Sequence, residues 1–320
     1  MTFIRTVLGD IDPADLGATY CHEHLAIAGG KPVELYPDFR LDDVRKAVEE
    51  LEDAIALGLR SVVDAMPADA GRDVLALAEI SRRAGIHLVA PTGLHHARYY
   101  DDRHWGNRLS ATEIGELFVA DITTGIDALD YGGPVVRRTP HRAGIVKIAG
   151  SRGGASERDA RIFEAAAIAH RATGCPILTH CEDGTGGVEQ IALLQDHGVE
   201  PRHVILSHVD KVADRGYHRE IFATGAAAEW DQGFRWGDAA NGTLDLVEWA
   251  VTEGFERQIV FGHDAARRGY WRTYGGEPGL GFLLGPFSDE IRRRGVPDSV
   301  LRACFVENPA RVLAFEERTA

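Results

Sequence analysis

The chain has 320 residues, 44% hydrophobic and 26% charged, an ordinary composition for a soluble globular protein. Its 35 Lys and Arg stand against 49 Asp and Glu, a formal charge of −14 with no dense basic run, which argues against nucleic acid or an anionic membrane as main partner. No run of about 18 apolar residues could span a bilayer, the N-terminus has no apolar core of signal-peptide length, and Cys21, Cys175, Cys181 and Cys304 form neither a disulfide framework nor a Cys-x-x-Cys pair, so a cytoplasmic protein is expected.

Residues 3–19 read as two short extended pieces around Gly9-Asp10-Ile11-Asp12-Pro13, a small hairpin ahead of the main fold. A strand over 18–24 follows, then helical spacing of Val44, Val48, Leu51 and Ile55 between Leu41 and Leu57, closed by Gly58. Ser61 to Met66 is a second strand and Asp73 to Ala84 a helix stopped by Gly85. His87 to Gly93 is the third strand. The long polar and aromatic stretch Leu94 to Leu109 leads to a helix capped by Ser110 with Glu113 as a capping box, running to about Leu129.

Strands at Gly144 to Gly150, Cys175 to His180, His203 to His208, Ala226 to Trp230 and Gln258 to Asp264 complete a set of eight. Helices are expected between them over about 157–172, 187–197, 214–223 and 244–252, with two more near 285–294 and 297–303 after a Gly- and Arg-rich loop. Regular strand–helix alternation without a linker predicts one (β/α)8 TIM barrel spanning 1–320 as a single domain, with the N-terminal hairpin outside it; a doubly wound sheet is the alternative.

In such a barrel the reactive groups stand at the C-terminal strand ends. His22 and His24, two apart in Cys21-His22-Glu23-His24, end the first strand and can aim both imidazoles at one point. Lys147 lies in the fourth strand, His180 ends the fifth, His208 the sixth and Asp264 the eighth. Taken singly, each has a plain structural role: a packed histidine, a snorkelling lysine, a capping aspartate. Those roles do not predict that all six collect on one rim, and a metal site does. Lys147 cannot ligate as an ammonium. Desolvation favours its neutral amine, which could take up carbon dioxide as a carbamate able to bridge two cations.

These residues carry a resemblance. Cys21-His22-Glu23-His24-Leu25, Thr92-Gly93-Leu94, Gly144 to Lys147, Thr179-His180, Ser207-His208-Val209-Asp210, Gly262-His263-Asp264 and Asn308 to Leu313, in this order, resemble the phosphotriesterase family of the amidohydrolase superfamily, including its lactonases, over nearly the whole chain. The resemblance implies two divalent metal ions, usually zinc, bridged by a carboxylated Lys147 and a hydroxide. It assigns His22, His24 and Asp264 to the more buried metal and His180 and His208 to the more exposed one. Asp264 is then the expected proton shuttle. Family members often form homodimers.

The same metal centre would serve organophosphate triesters, acyl-homoserine lactones or sugar lactones, so the pocket loops must choose. His95 stands after Thr92-Gly93-Leu94, where triesterase and acyl-lactonase relatives tend to carry an aromatic residue. Arg267, Arg268, Tyr270 and Arg272 follow Asp264. Members that open phosphorylated sugar lactones resemble this, with Arg and Tyr at the positions of Arg267 and Tyr270 and a basic residue where this chain has Arg235. The expected substrate is therefore an anionic lactone contacted by His95, Arg235, Arg267 and Tyr270. Phosphotriester, arylester or acyl-homoserine lactone hydrolysis is the alternative, and a non-catalytic metal- or ligand-binding protein another. Arg268 and Arg272 read equally well as surface residues, and His95, His96, Tyr99, Tyr100 and Trp105 as a lid or a packing cluster.

Overall fold

The computed structural model describes residues 2–152, 155–236 and 241–316. At the N-terminus β1 (Ile4–Thr6) and β2 (Gly9–Ile11) pair antiparallel, Ile4 opposite Ile11. The bend falls at Val7-Leu8, ahead of the predicted Gly9–Pro13 stretch, because Thr6 Oγ1 donates to Gly9 O at 2.8 Å. Asp12 instead opens a short 3-10 turn, accepting from Ala14 N.

A ring of parallel strands follows. β3 (Ala18–Glu23) pairs with β4 (Leu59–Asp64), and β4 with β5 (His87–Val89). The predicted third strand is broken at Ala90: its second half, β6 (Pro91–Thr92), pairs with β7 (Ile145–Gly150). Proline lacks the N–H to continue the ladder. β8 (Ile177–Cys181), β9 (Val204–Ser207), β10 (Ala227–Trp230) and β11 (Ile259–Phe261) continue neighbour to neighbour. Asp264 N donates to His22 O at 3.0 Å, so the end of the last strand meets the end of the first and the ring closes.

The connections are α1 (Gly30–Leu35), α2 (Val44–Ala56), α3 (Val74–Ala84), α4 (Ala111–Thr123), α5 (Glu157–Thr173), α6 (Gly187–Asp196), α7 (Arg215–Thr224) and α8 (Gly242–Glu253). The Ser110–Glu113 capping box forms. The helix stops at Thr123, well short of Leu129, because Gly125 turns the chain at φ 143°. A Cβ there would stand 1.9 Å from Thr139 O. The chain then pairs Asp127 with Arg138 in an excursion that periodicity does not reveal.

After β11 come α9 (Ser288–Arg293), led into by a π-type turn over Leu283–Phe287 that contains Pro286, α10 (Asp298–Arg302) and the unforeseen α11 (Asn308–Val312). Asn308 Nδ2 ties α11 to the base of β11 through Ile259 O at 2.7 Å. Among the described residues no helix is long and apolar enough to cross a membrane.

The interior of the ring sets up the site. Cys21, Val63, Ile145, Leu178, Ile205, Ala227 and Val260 form an apolar inner layer, closed below by Ile4, Leu16 and Leu313. Simple alternation from His22 and His24 would put Cys21 on the opposite strand face; a register shift between Tyr20 and Glu23 turns it inward as a packing residue. Strand side chains repeat every second residue, so one step above Ile145, Leu178 and Ala227 stand Lys147, His180 and Glu229. A packed apolar floor carries a polar layer.

Gly93, at φ 115°, lies against β7, and a Cβ there would stand 1.8 Å from Lys147 O. Gly93→Ala is expected to destabilise the protein by about 3 kcal/mol or more, read as a lower denaturation midpoint.

Candidate metal centre

The upper layer converges on one cleft of about 220 Å³. His22, His24, His180, His208 and Asp264 line it together with His95, Arg235, Arg267 and Tyr270. Lys147 is 1% exposed, its Nζ 3.4 Å from Ser207 Oγ. The six candidate ligands and the four expected substrate contacts thus lie in or directly behind one mouth of the barrel.

Asp264 Oδ1 lies 3.2 Å from His24 Nε2 and 3.7 Å from His22 Nε2. The His22 and His208 rings are 4.7 Å apart and those of His208 and His180 4.5 Å. The histidines also have partners facing away from the cleft. His208 Nδ1 bonds Asp231, His180 Nε2 lies 2.8 Å from Glu182 Oε2, and His22 Nδ1 is 3.4 Å from Glu229 Oε2, too poorly directed for a hydrogen bond. A carboxylate on one ring nitrogen fixes the tautomer and leaves the other nitrogen as a donor to a cation.

Two ligand candidates sit in backbone conformations that are unusual for them. His208 has φ 67° and Asp264 φ 50°, left-handed values costing about 1–2 kcal/mol outside glycine. Partners hold both. His208 N donates to Glu229 Oε2 at 3.3 Å. Glu23 accepts from His263 N at 2.8 Å and Ala265 N at 3.3 Å, and Arg235 donates to His263 O and Asp264 O at 2.7 and 2.8 Å. The glutamate between the two motif histidines is thus the anchor of the Asp264 loop.

Burial sets the electrostatics. It pushes the Lys147 amine down from 10.5 to about 8, against the opposing pull of Glu229, Asp264 and Asp231. Burial, then the neighbouring cationic and imidazole groups, hold His22 and His180 well below the usual histidine range. For Asp264 burial acts upward, but His24, His208, His22 and Arg235 outweigh it and keep the carboxyl well below its ordinary value. The site therefore favours neutral imidazoles and an ionised carboxylate, the forms that bind metals. His24 Nδ1 and Glu229 Oε1 are buried without a hydrogen-bond partner. His22, His24 and Asp264 bring donor atoms within 4.8 Å of one another, a set suited to zinc or a similar divalent cation.

The substrate candidates divide. Arg267 lies on the rim, donating to Asp38 Oδ2 at 2.7 Å with its guanidinium 4.6 Å from the Phe39 ring centre. Tyr270 packs edge-on against Phe234 at 5.1 Å. Arg235 also donates to Asp231 O at 2.6 Å, so it clamps the loops after β10 and β11. Arg268 and Arg272 bond Arg40 O and Asp53 on the surface. Of the aromatic stretch, His95 and Tyr99 face the cleft, while Tyr100 is buried, donating to Ala68 O, and Trp105 packs on Tyr131.

Sequence reasoning missed Glu23, Glu182, Glu229 and Asp231. The rule that singled out Lys147, a charged residue inside an apolar strand near its C-terminal end, also fits Glu229.

Comparison with known proteins gives a consistent result. A model of the phosphotriesterase family matches residues 2–313. A phospho-furanose lactonase of Mycoplasmopsis synoviae is 34% identical, over 99% of this chain and 93% of its own length. An aryldialkylphosphatase of Saccharolobus solfataricus is 30% identical, over 94% of this chain and 96% of its own. Among solved structures, a lactonase from Listeria monocytogenes superposes with a TM-score of 0.90 at 30% identity, covering 98% of this chain and all (100%) of that one.

The Lys147 burial has a measurable sign. Its amine titrates near 8 when folded and near 10.5 when unfolded, so below pH 8 the folded state carries a penalty of about 3 kcal/mol. That penalty is relieved as pH rises from 8 to 10.5. In metal-free, carbonate-free buffer, Lys147→Met should be more stable than the parent at pH 7, with the advantage fading above pH 8. A pH-independent difference in denaturation midpoint would contradict this.

Proposed function

Since the chain belongs to the phosphotriesterase family, we propose that it is a binuclear-metal hydrolase of ester bonds, working chiefly as a lactonase on a small anionic sugar lactone. The observation that carries the anionic preference is the cleft lining. Among the described residues Arg98, Lys211, Arg235 and Arg267 line it with a single carboxylate, Asp264, in a chain whose net charge is −14. Such a mouth concentrates anions against the field of the whole protein. A cleft of about 220 Å³ lies below the range of about 300–1,000 Å³ usual for drug-sized ligands and so suits a small substrate.

In this reading His22, His24 and Asp264 would hold one divalent cation and His180 and His208 the other, with Lys147, carboxylated on Nζ, as a ligand available to both. Zinc is the expected ion. Bound there, the cations would lower the pKa of water and polarise the ester carbonyl. Asp264 is the proton carrier: its carboxylate lies at the cleft floor between His24 and Arg235, accepts the proton of the attacking water, and returns it to the leaving ring oxygen. Arg267, with Arg235 behind it, attracts the phosphate or carboxylate of the lactone; Tyr270 and His95 line the sugar's path. Relatives named phospho-furanose lactonase support the substrate class, and the relative named aryldialkylphosphatase supports triester hydrolysis as the second activity.

Metal analysis of the active protein should give about two equivalents per chain, and phosphorylated or carboxylated sugar lactones should exceed paraoxon-type triesters in kcat/KM. A larger kcat/KM for the triester would reverse the assignment. Loss of Arg267's charge-assisted contact should cost about 1.5–3 kcal/mol. Arg267→Ala is therefore expected to raise KM for an anionic lactone about tenfold or more and leave that for a neutral lactone nearly unchanged. Equal effects on both would remove the anion pocket.

A further inference from the structure

The pocket loop after β6 and the turn after β8 meet at a carboxylate that the proposed reaction leaves unused. Glu182 Oε2 lies 2.8 Å from His180 Nε2 and 2.9 Å from His96 Nε2, and Arg98 Nη1 donates to Glu182 Oε1 at 2.8 Å. His96 is 7% exposed and the Glu182 side chain 21%. An ionised carboxylate only accepts, so His180 must carry its proton on Nε2, and Nδ1 is then its lone-pair nitrogen. Gln190 Nε2 holds the same residue from behind, donating to His180 O at 3.3 Å.

His96, His180 and Glu182 also bring three donor atoms within 4.8 Å, which could be taken for a separate cation site. Arg98 argues against it. Its guanidinium already compensates Glu182, and a cation at the same carboxylate would face that positive charge at close range.

We propose that Glu182 is a positioning residue, which holds His180 by Nε2 so that Nδ1 is presented to the metal pair and fastens the 95–100 loop to the same ligand. The inference rests on the two-metal reading above. His95, Arg98 and Tyr99 of that loop line the cleft, so one carboxylate links the wall that meets substrate to a ligand of the more exposed cation. Removing it disturbs one cation position and the loop, and leaves the position formed by His22, His24 and Asp264 intact.

The test uses the full-length parent, Glu182→Ala and Glu182→Gln, stripped of metal and titrated with Co2+ against a chromophoric chelator, with hydrogen exchange of residues 95–100 followed on the same samples. Glu182→Ala should weaken one of two binding steps by about 10–100-fold, spare the other, and speed exchange in the loop. Glu182→Gln should recover much of the affinity, because its amide oxygen still accepts from His180 Nε2, while the loop stays loosened without the charge that pairs Arg98. Wild-type affinity for both cations in Glu182→Ala overturns the proposal, as does equal weakening of both steps with a lowered melting temperature. A parent protein that binds a single cation overturns the two-metal reading and this inference with it, and the parent titration alone reports that.

Discussion

A single backbone hydrogen bond, from Asp264 N to His22 O, joins the end of the last barrel strand to the end of the first. It closes the ring, and it also brings Asp264 Oδ1 within reach of the two motif histidines. The fold and the site therefore share one constraint. Asp264 reaches this position only in a left-handed conformation, which glycine would adopt freely and aspartate does not. The surrounding loop is over-determined to keep it there: Glu23 accepts from the backbone on both sides of Asp264, and Arg235 donates to two consecutive carbonyls of the same turn. Residues that look like motif filler or substrate contacts in the sequence thus stabilise a strained turn.

Burying so many titratable groups in one layer needs compensation. Lys147, Glu229 and Asp231 lie together with the histidines inside a barrel whose floor is Ile145, Leu178, Ala227 and Val260. An isolated charge there would be neutralised rather than tolerated. The shifts follow that rule. The Lys147 amine moves toward its neutral form, Glu229 is pushed well above the usual carboxyl range by burial and by Asp231 and Asp210, and burial lowers His22, His180 and His208 toward the neutral imidazole. A cation pair and a carboxylated lysine would answer the same demand by supplying charge where the metal-free protein must suppress it.

The barrel order was legible from strand period, as were Lys147 and His180, each a polar residue two positions beyond an apolar inward one at a C-terminal strand end. His22, His24, His208 and Asp264 were legible only as polar residues at strand ends, because a register shift and left-handed backbones take them off the simple alternation. What escaped depends on geometry that the period does not encode. The early end of α4 comes from Gly125 fitting against Thr139 O, a contact across many residues. The break at Ala90 comes from Pro91 taking a different neighbour from the residues before it. Glu182 lies beyond the strand in a turn where Asp183 has φ 53°, so alternation could not foretell that it folds back onto His180 Nε2. The aromatic stretch from His95 to Trp105 divided into cleft wall and packing for a similar reason: the Tyr100 hydroxyl is consumed by Ala68 O and the His95 amide, neither of which is near it in pattern.

Among the described residues the charged side chains lining the cleft are mostly cationic, opposite in sign to the molecule, and the chemistry below them explains why that arrangement is workable. The polar layer is acidic as well as basic, with Asp264, Asp231 and Glu229 gathered at the strand ends. A purely acidic mouth above them would repel an anionic substrate and strain the carboxylates further. Arg235, clamped to carbonyls beside Asp264, stands at the boundary and counts toward both. Arg267, one loop turn farther out, is engaged by exposed Asp38 and by the Tyr36 and Phe39 rings. An incoming anion would exchange one exposed ion pair for a bidentate contact at the rim, a small rearrangement, whereas displacing Arg235 would release the Asp264 turn. Under the proposed reading the outer arginine would be the one to respond to substrate, while Arg235 is committed to the Asp264 turn.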